Sequence, residues 1–213
     1  MRTAFFKFIS GLALPTLFTI VDQCDYGYSI ESLIHHDFFP AFKRSHSFTL
    51  IFISNIKAES IIERAAEIRY CGGVVGTSTL PTQFLCLLLK LLQLQPEISI
   101  VKAFIESYDF KYLRLLGAFY LRLVGTPVEI HSNIEPLLSD YRKVRFINQT
   151  REMKIEHIDV FANNLLTQER YFSITLPVMQ KRQALEEAGQ LKPRVSPLDA
   201  KIEEYQVSSS ESE

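Results

Sequence analysis

No tryptophan occurs in the 213 residues, and glycine (8) and proline (9) are sparse. So few turn-makers favour helices over a β architecture that needs a tight turn every few residues. Cysteine is nearly absent: Cys24, Cys71 and Cys86 are odd in number and form no C-x-x-C pair. That argues against both a disulfide scaffold and a cysteine-based zinc site. An excess of charge of one sign is missing as well. The 23 Lys+Arg face 24 Asp+Glu, for a formal net charge of −1, so bulk cationic attraction to nucleic acid is excluded, though a local basic patch is not. Finally, no stretch reaches the roughly 20 apolar residues of a membrane span.

What is present is ordinary globular material, 47% hydrophobic and 22% charged, enough for a core of normal size. The average hides three regions. Residues 1–55 carry 4 basic and 4 acidic residues with much Phe and Ile; residues 56–195 carry 18 basic and 15 acidic; residues 196–213 carry 1 basic and 5 acidic. The last stretch, ending Ser208-Ser209-Ser210-Glu211-Ser212-Glu213, is too poor in large apolar groups to offset its own ordering entropy. It is expected to be a disordered acidic tail from 198 on. At the other end Arg2 and Lys7 precede Phe8-Ile9-Ser10-Gly11-Leu12-Ala13-Leu14, which has the basic and apolar parts of a secretory signal. Pro15 interrupts it, and no small-residue cleavage site follows near Val21.

From residue 56 onward the pattern is helical with clear stops. Ile61, Ile62, Ala65, Ala66 and Ile68 recur at helical spacing over 58–70, and Gly72-Gly73 ends the run. Pro81 opens and Pro96 closes a segment that is apolar almost all round, Phe84 to Leu92, which belongs in a core. Glu97 to Ser107 makes a further helix. Asp109 is the expected N-cap of one reaching Val124. In that helix Gly117 sits among apolar residues and implies a close helix crossing. Lys111, Arg114 and Arg122 fall at i, i+3 and i+11, on one opposite face. Thr126-Pro127-Val128-Glu129 is a capping box with proline at the first position. Pro136 restarts or kinks that helix. Val144 to Glu156 suits a small β-hairpin, and helices are expected near 159–168 and 177–190. The fold class expected is therefore all-α, a multi-helix domain over 56–197 with one small hairpin near 144–156.

Enzyme constellations are poorly represented. Gly72-Gly73-Val74-Val75-Gly76 follows a helix, not the strand a phosphate-cradling loop requires, and lacks both G-x-G-x-x-G and G-K-[ST]. His35-His36 has no ligands at helical spacing around it, and His131 with Glu135 is too little for zinc. No G-x-S-x-G elbow occurs. Cys86, in the most apolar helix, behaves as a small hydrophobe. Asn148-Gln149-Thr150 is a glycosylation sequon only for a secreted chain. No catalytic residue, metal ligand or cofactor is assigned.

Longer strings carry more information. Residues 66–76 read Ala-Glu-Ile-Arg-Tyr-Cys-Gly-Gly-Val-Val-Gly, and residues 81–97 run Pro-Thr-Gln-Phe-Leu-Cys-Leu-Leu-Leu-Lys-Leu-Leu-Gln-Leu-Gln-Pro-Glu. Residues 109–126 read Asp-Phe-Lys-Tyr-Leu-Arg-Leu-Leu-Gly-Ala-Phe-Tyr-Leu-Arg-Leu-Val-Gly-Thr. Together with Glu135-Pro136-Leu137, Asp140-Tyr141-Arg142-Lys143, His157-Ile158-Asp159 and Leu191-Lys192-Pro193-Arg194, these closely resemble the pre-mRNA-splicing factor 38 family. The A-type branch is the nearer, over about 58–197.

The resemblance implies a nuclear, non-enzymatic helical scaffold of the precatalytic spliceosome or tri-snRNP that is required for spliceosome activation. Its implied partners are a zinc-finger splicing protein and a largely disordered, helical-peptide partner. It implies neither a membrane nor a cofactor. Three departures stand out. Residues 1–55 do not match the family's basic, tryptophan-containing start, so a misassigned or alternative first exon is expected. Gly76-Thr77-Ser78 stands where the family's loop continues glycine-glycine-asparagine, and the acidic stub stands where many animal members carry an Arg/Ser-rich tail. The expected partner-binding residues are Lys111, Arg114, Arg122, Arg142 and Lys143, facing acidic partner helices or RNA phosphate. The competing expectation is that some of them pair internally with Glu106, Glu135 or Asp140. Direct binding of small nuclear RNA and, from residues 1–21 alone, a secreted or membrane-associated protein are the alternative functions.

Overall fold

The computed structural model describes residues 60–77 and 80–194. The expectations for residues 1–55 and for the tail from 198 lie outside the described residues.

The first helix, α1 (Ser60–Glu67), buries Ile61 and Ala65. It stops before the expected Tyr70 because the next residues are wanted elsewhere. The carbonyl of Arg69 accepts a 2.8 Å hydrogen bond from the Tyr112 hydroxyl, and Cys71–Gly72 forms strand β1. Strands β2 (Val74–Val75) and β3 (Leu80–Pro81) make a small antiparallel pair. Gly73, between β1 and β2, touches another backbone: a Cβ there would lie 2.4 Å from the Phe172 carbonyl oxygen.

Helix α2 (Gln83–Leu94) is the centre of the core. Thr82 caps it by accepting from Leu85 N–H, and the Thr82 hydroxyl donates to the Gly72 carbonyl at 2.6 Å, tying the helix start to β1. Every residue from Phe84 to Leu92 is buried, as the all-round apolar pattern requires. Even Lys90 is enclosed, and desolvation lowers its pKa.

Helices α3 (Ile98–Glu106) and α4 (Lys111–Val124) cross where Gly117 was expected to admit a neighbour. A Cβ on Gly117 would meet Phe104 Cβ at 3.0 Å and Ile105 Cγ1 at 3.1 Å. The expected Asp109 cap is not formed. Phe110 occupies the cap position without a side-chain hydrogen bond, because the chain turns from α3 into α4 one residue later. α5 (Pro127–Ile134) carries the complete Thr126/Glu129 capping box and runs into a 3-10 turn at Glu135–Ser139, where Pro136 removes the N–H an α-helix would need.

Strands β4 (Lys143–Ile147) and β5 (Met153–His157) form the hairpin expected from the sequence. Their turn is held by the Asn148 side chain, which accepts from Thr150 Oγ1 and Glu152 N–H and donates to Glu152 Oε2. The sequon asparagine is thus engaged as a turn former. After the hairpin come α6 (Ile158–Thr167), the short strands β6 (Arg170–Tyr171) and β7 (Ile174–Thr175), and α7 (Arg182–Glu187).

Two expectations are corrected here. The described residues are mostly helical, but they are not all-α. β1 pairs in parallel with β4, extending the hairpin to a three-stranded sheet of order β1-β4-β5, and two further two-residue ladders exist. Two-residue strands are too short to show an alternating pattern. The last helix spans 182–187 rather than 177–190, since the segment at Pro177 is held out of helix by a bond from α4 described below. Beneath the sheet Phe84, Phe119, Phe146, Phe161, Tyr171 and Phe172 pack ring against ring, with centroids 4.3–6.3 Å apart, and join the helices to the strands.

Candidate functional site

Four of the five basic residues singled out in the sequence come together, at the junction of the α4 start and the entry to β4. Asp140 organises the two arginines. Its side chain is only 6% exposed and accepts from Arg114 Nη1 at 3.2 Å, from Arg142 Nε at 2.9 Å and Nη2 at 2.6 Å, and from the Arg142 N–H at 3.2 Å. Desolvation works to raise the Asp140 pKa, but the Arg142 hydrogen bonds and the charges of Arg142 and Arg114 together hold it below the usual carboxylate value. Arg142 in turn lies 4.1 Å over the ring of Tyr108 and donates to the Tyr108 carbonyl, with Arg114 at 5.6 Å from the same ring. Lys111 Nζ donates to the Lys143 carbonyl at 2.7 Å, closing the junction from the other side.

Internal pairing therefore takes Arg114 and part of Arg142, as the competing expectation had it for Asp140. What remains at the surface is a mixed patch. Tyr108 (67% exposed), Tyr141 (69%) and Phe110 (44%) surround Lys111, Arg142 and Lys143. The sequence reading missed the three aromatics. They stand beside the expected basic residues, in Ser107-Tyr108-Asp109-Phe110 and Asp140-Tyr141-Arg142. Aromatic residues in such a terminus, with no apolar period to place them in a core, are the signal that was available.

Arg122 is not part of this patch, and its expected place on a solvent face is corrected. It is 4% exposed. Nε donates to the Leu165 carbonyl and Nη2 to the Pro177 carbonyl, each at 2.9 Å. The helical wheel does put it on the face of Lys111, but α6 and the segment at Pro177 cover the C-terminal half of that face. Burial lowers the Arg122 pKa to about 10, which leaves it charged at neutral pH. There it caps an orphan carbonyl of the α6 C-terminus, where a cation also meets the helix dipole favourably.

The other sequence candidates offer little chemistry. Burial pushes the Cys86 thiol up to about 12 and the Cys71 thiol higher still, so neither is a nucleophile at neutral pH. His131 Nδ1 is 3.1 Å from Glu135, which also takes Arg182 Nε at 2.6 Å. Among the described residues no group of three or more His, Cys, Asp or Glu is placed to hold a metal ion. A cavity of about 260 Å³ beside the β6–β7 turn is lined by Phe146, Asn148, Lys154, Glu156 and Tyr171, without histidine or cysteine. The glycine-rich 72–76 segment builds β1 and β2 and packs against Phe172; no phosphate cradle forms there.

The model of the PRP38 family matches residues 51–189. The chain belongs to the PRP38 family. It is 48% identical over 153 residues to pre-mRNA-splicing factor 38A of Danio rerio, covering 72% of this chain and 49% of that protein. To the Homo sapiens protein of the same name it is 47% identical over 151 residues, covering 71% and 48%. The chain thus spans about half the length of the curated PRP38 relatives it matches. Among solved structures it is similar to the crystal structure of the Snu23-Prp38-MFAP1(217-258) complex of Chaetomium thermophilum. There the TM-score is 0.70 at 37% identity, with 79% of this chain and 91% of that one covered.

Proposed function

We propose that the chain is a pre-mRNA splicing protein acting as a non-enzymatic interaction scaffold of the precatalytic spliceosome or tri-snRNP, needed for spliceosome activation in the nucleus. Its partners are a zinc-finger splicing protein and a helical-peptide partner. The reading is supported by membership of the PRP38 family and by the likeness to a Prp38 protein solved in complex with Snu23 and MFAP1.

The observation that carries the site is the preformed patch at the α4 start. Tyr and Arg dominate the binding energy of protein interfaces when they stand on rigid supports. Here Asp140 fixes the Arg142 guanidinium, and Arg142 fixes the Tyr108 ring. Lys111, Arg142 and Lys143 supply positive charge for acidic residues of a partner, with Arg114 as the buried brace. Asp109 and Asp140 offset half of these four cations, which favours a protein partner over a phosphate backbone.

The test is binding of purified full chain to recombinant counterparts of the two partner proteins. The triple variant Tyr108→Ala, Tyr141→Ala, Lys143→Glu alters only exposed side chains. It should bind at least one partner about tenfold or more weakly with its melting temperature unchanged. Full binding by the folded variant discards the patch. Steeply salt-dependent binding to small nuclear RNA, abolished by the same variant, moves the reading to RNA.

A further inference from the structure

We propose that the outer edge of β5 accepts an extended acidic peptide of a partner protein as a fourth strand of the sheet. This surface meets the aromatic patch at Lys143 but stands on its own observations.

The first is register. Each β4–β5 pair joins residues whose numbers follow one antiparallel register, from Lys143↔His157 to Ile147↔Met153. At one end of the hairpin Asn148 N–H donates to the Glu152 carbonyl, and at the other Ile158 N–H donates to the Arg142 carbonyl. Hydrogen-bonded and non-bonded pairs alternate in an antiparallel ladder. Ile147/Met153, Arg145/Ile155 and Lys143/His157 are therefore the non-bonded pairs. Met153, Ile155 and His157 turn their backbone N–H and C=O away from β4. β5 ends the sheet order β1-β4-β5, so among the described residues no further strand pairs with those groups.

The second is what the edge displays. Val144 and Phe146 point into the core, so the alternate residues Lys143, Arg145, Ile147, Met153, Ile155 and His157 share the outer face. Met153 is 60% and Ile155 68% exposed. Natural edge strands are usually blunted by charge, proline or a bulge; β5 carries its two most exposed apolar side chains on the very residues whose backbone is open. That combination suits strand addition, in which the main chain supplies affinity and alternate side chains supply specificity.

The third is charge. Lys143 and Arg145 lie on that face and no carboxylate of either strand does. A strand alternating apolar residues with Asp or Glu would match it. A second copy matches less well, since pairing β5 with β5 would set two cationic faces on one side of a continuous sheet.

The probe is a fluorescein-labelled seven-residue peptide alternating valine and glutamate, titrated into the full chain, with a valine–lysine peptide as control. The acidic peptide should bind, more weakly as salt rises, and the basic one should not. Ile155→Pro removes an outward N–H without touching the ladder to β4. It should reduce binding at least about tenfold at an unchanged melting temperature. Arg145→Glu, which alters no backbone group, should weaken the acidic peptide and admit the basic one; it also serves if Ile155→Pro fails to fold. No binding by the wild-type chain overturns the proposal. So does binding that both variants leave intact, or a dimer that Ile155→Pro dissolves in a chain that ignores the peptide.

Discussion

Replacing Arg122 by methionine separates a structural arginine from a binding one. Methionine keeps much of the length and apolar volume of the stem but none of the donors. Arg122 makes two hydrogen bonds to carbonyls, Leu165 at the end of α6 and Pro177 ahead of α7. Hydrogen bonds from a charged group contribute about 1.5–3 kcal/mol each, and a buried carbonyl left alone costs about 1–3 kcal/mol. Against this, the variant no longer buries a guanidinium at 4% exposure, which returns part of the loss. The expected net destabilisation is about 3 kcal/mol, or about 10 °C in melting temperature for a domain of this size. Arg122→Lys should lose at least half as much, since one ammonium on a flexible stem does not reproduce two bonds set by a planar fork. Urea unfolding gives the free energy. Hydrogen exchange should show the loss concentrated at the α6 end and the segment at Pro177, which the two Arg122 bonds hold against α4. An Arg122→Met variant with unchanged stability would overturn this account. It would mean that relief from burying the charge equals everything the two bonds contribute.

Leu88 is fully buried in α2, so Leu88→Asp should abolish cooperative unfolding by circular dichroism, while Leu88→Ala should cost about 2–5 kcal/mol. At Gly117 two effects oppose. Alanine gains about 1 kcal/mol of helix propensity, but its Cβ would sit 3.0–3.3 Å from Phe104, Ile105 and the Val101 carbonyl. Gly117→Ala should therefore be near neutral and Gly117→Val clearly destabilising in thermal melts. The lowered Asp140 pKa fixes a sign for pH dependence. A carboxylate depressed in the folded state contributes stability above its unfolded value near 3.8, and loses it as pH falls through the lower folded value. Asp140→Asn should be less stable at neutral pH, and the gap from wild type should narrow in acid. A constant gap in urea titrations across that range would count against the ion-pair account.

Much of the fold was legible because its signals are local. The all-apolar run from Phe84 to Leu92, the Thr126–Glu129 capping box and the hairpin around Asn148 each depend on residues within a few positions of one another, and each appears where expected. Gly117 told of a neighbour without naming it. The failures share a cause as well. Asp109 has the chemistry of a cap, yet the connection between α3 and α4 sets where the helix begins. The segment from Pro177 reads as helix, yet its carbonyl is claimed by an arginine 55 residues away. The candidate site was half legible: composition picked out the basic residues, but not that Asp140 ties two of them together while Lys111 reaches the Lys143 carbonyl.

The order of residues along the chain is enough to make this a mostly helical chain with an apolar core and, through long strings in register, to show which family it resembles. Those properties follow from hydrophobic period, capping chemistry and ordered identity, all written along the chain. Which charges are available depends on how the helices and strands pack. Lys111, Arg114 and Arg122 share one face of α4, but solvent, Asp140 and the α6 end meet that face at different heights. A helical wheel carries angle and not neighbours, and what a charge does is decided by what packs against it.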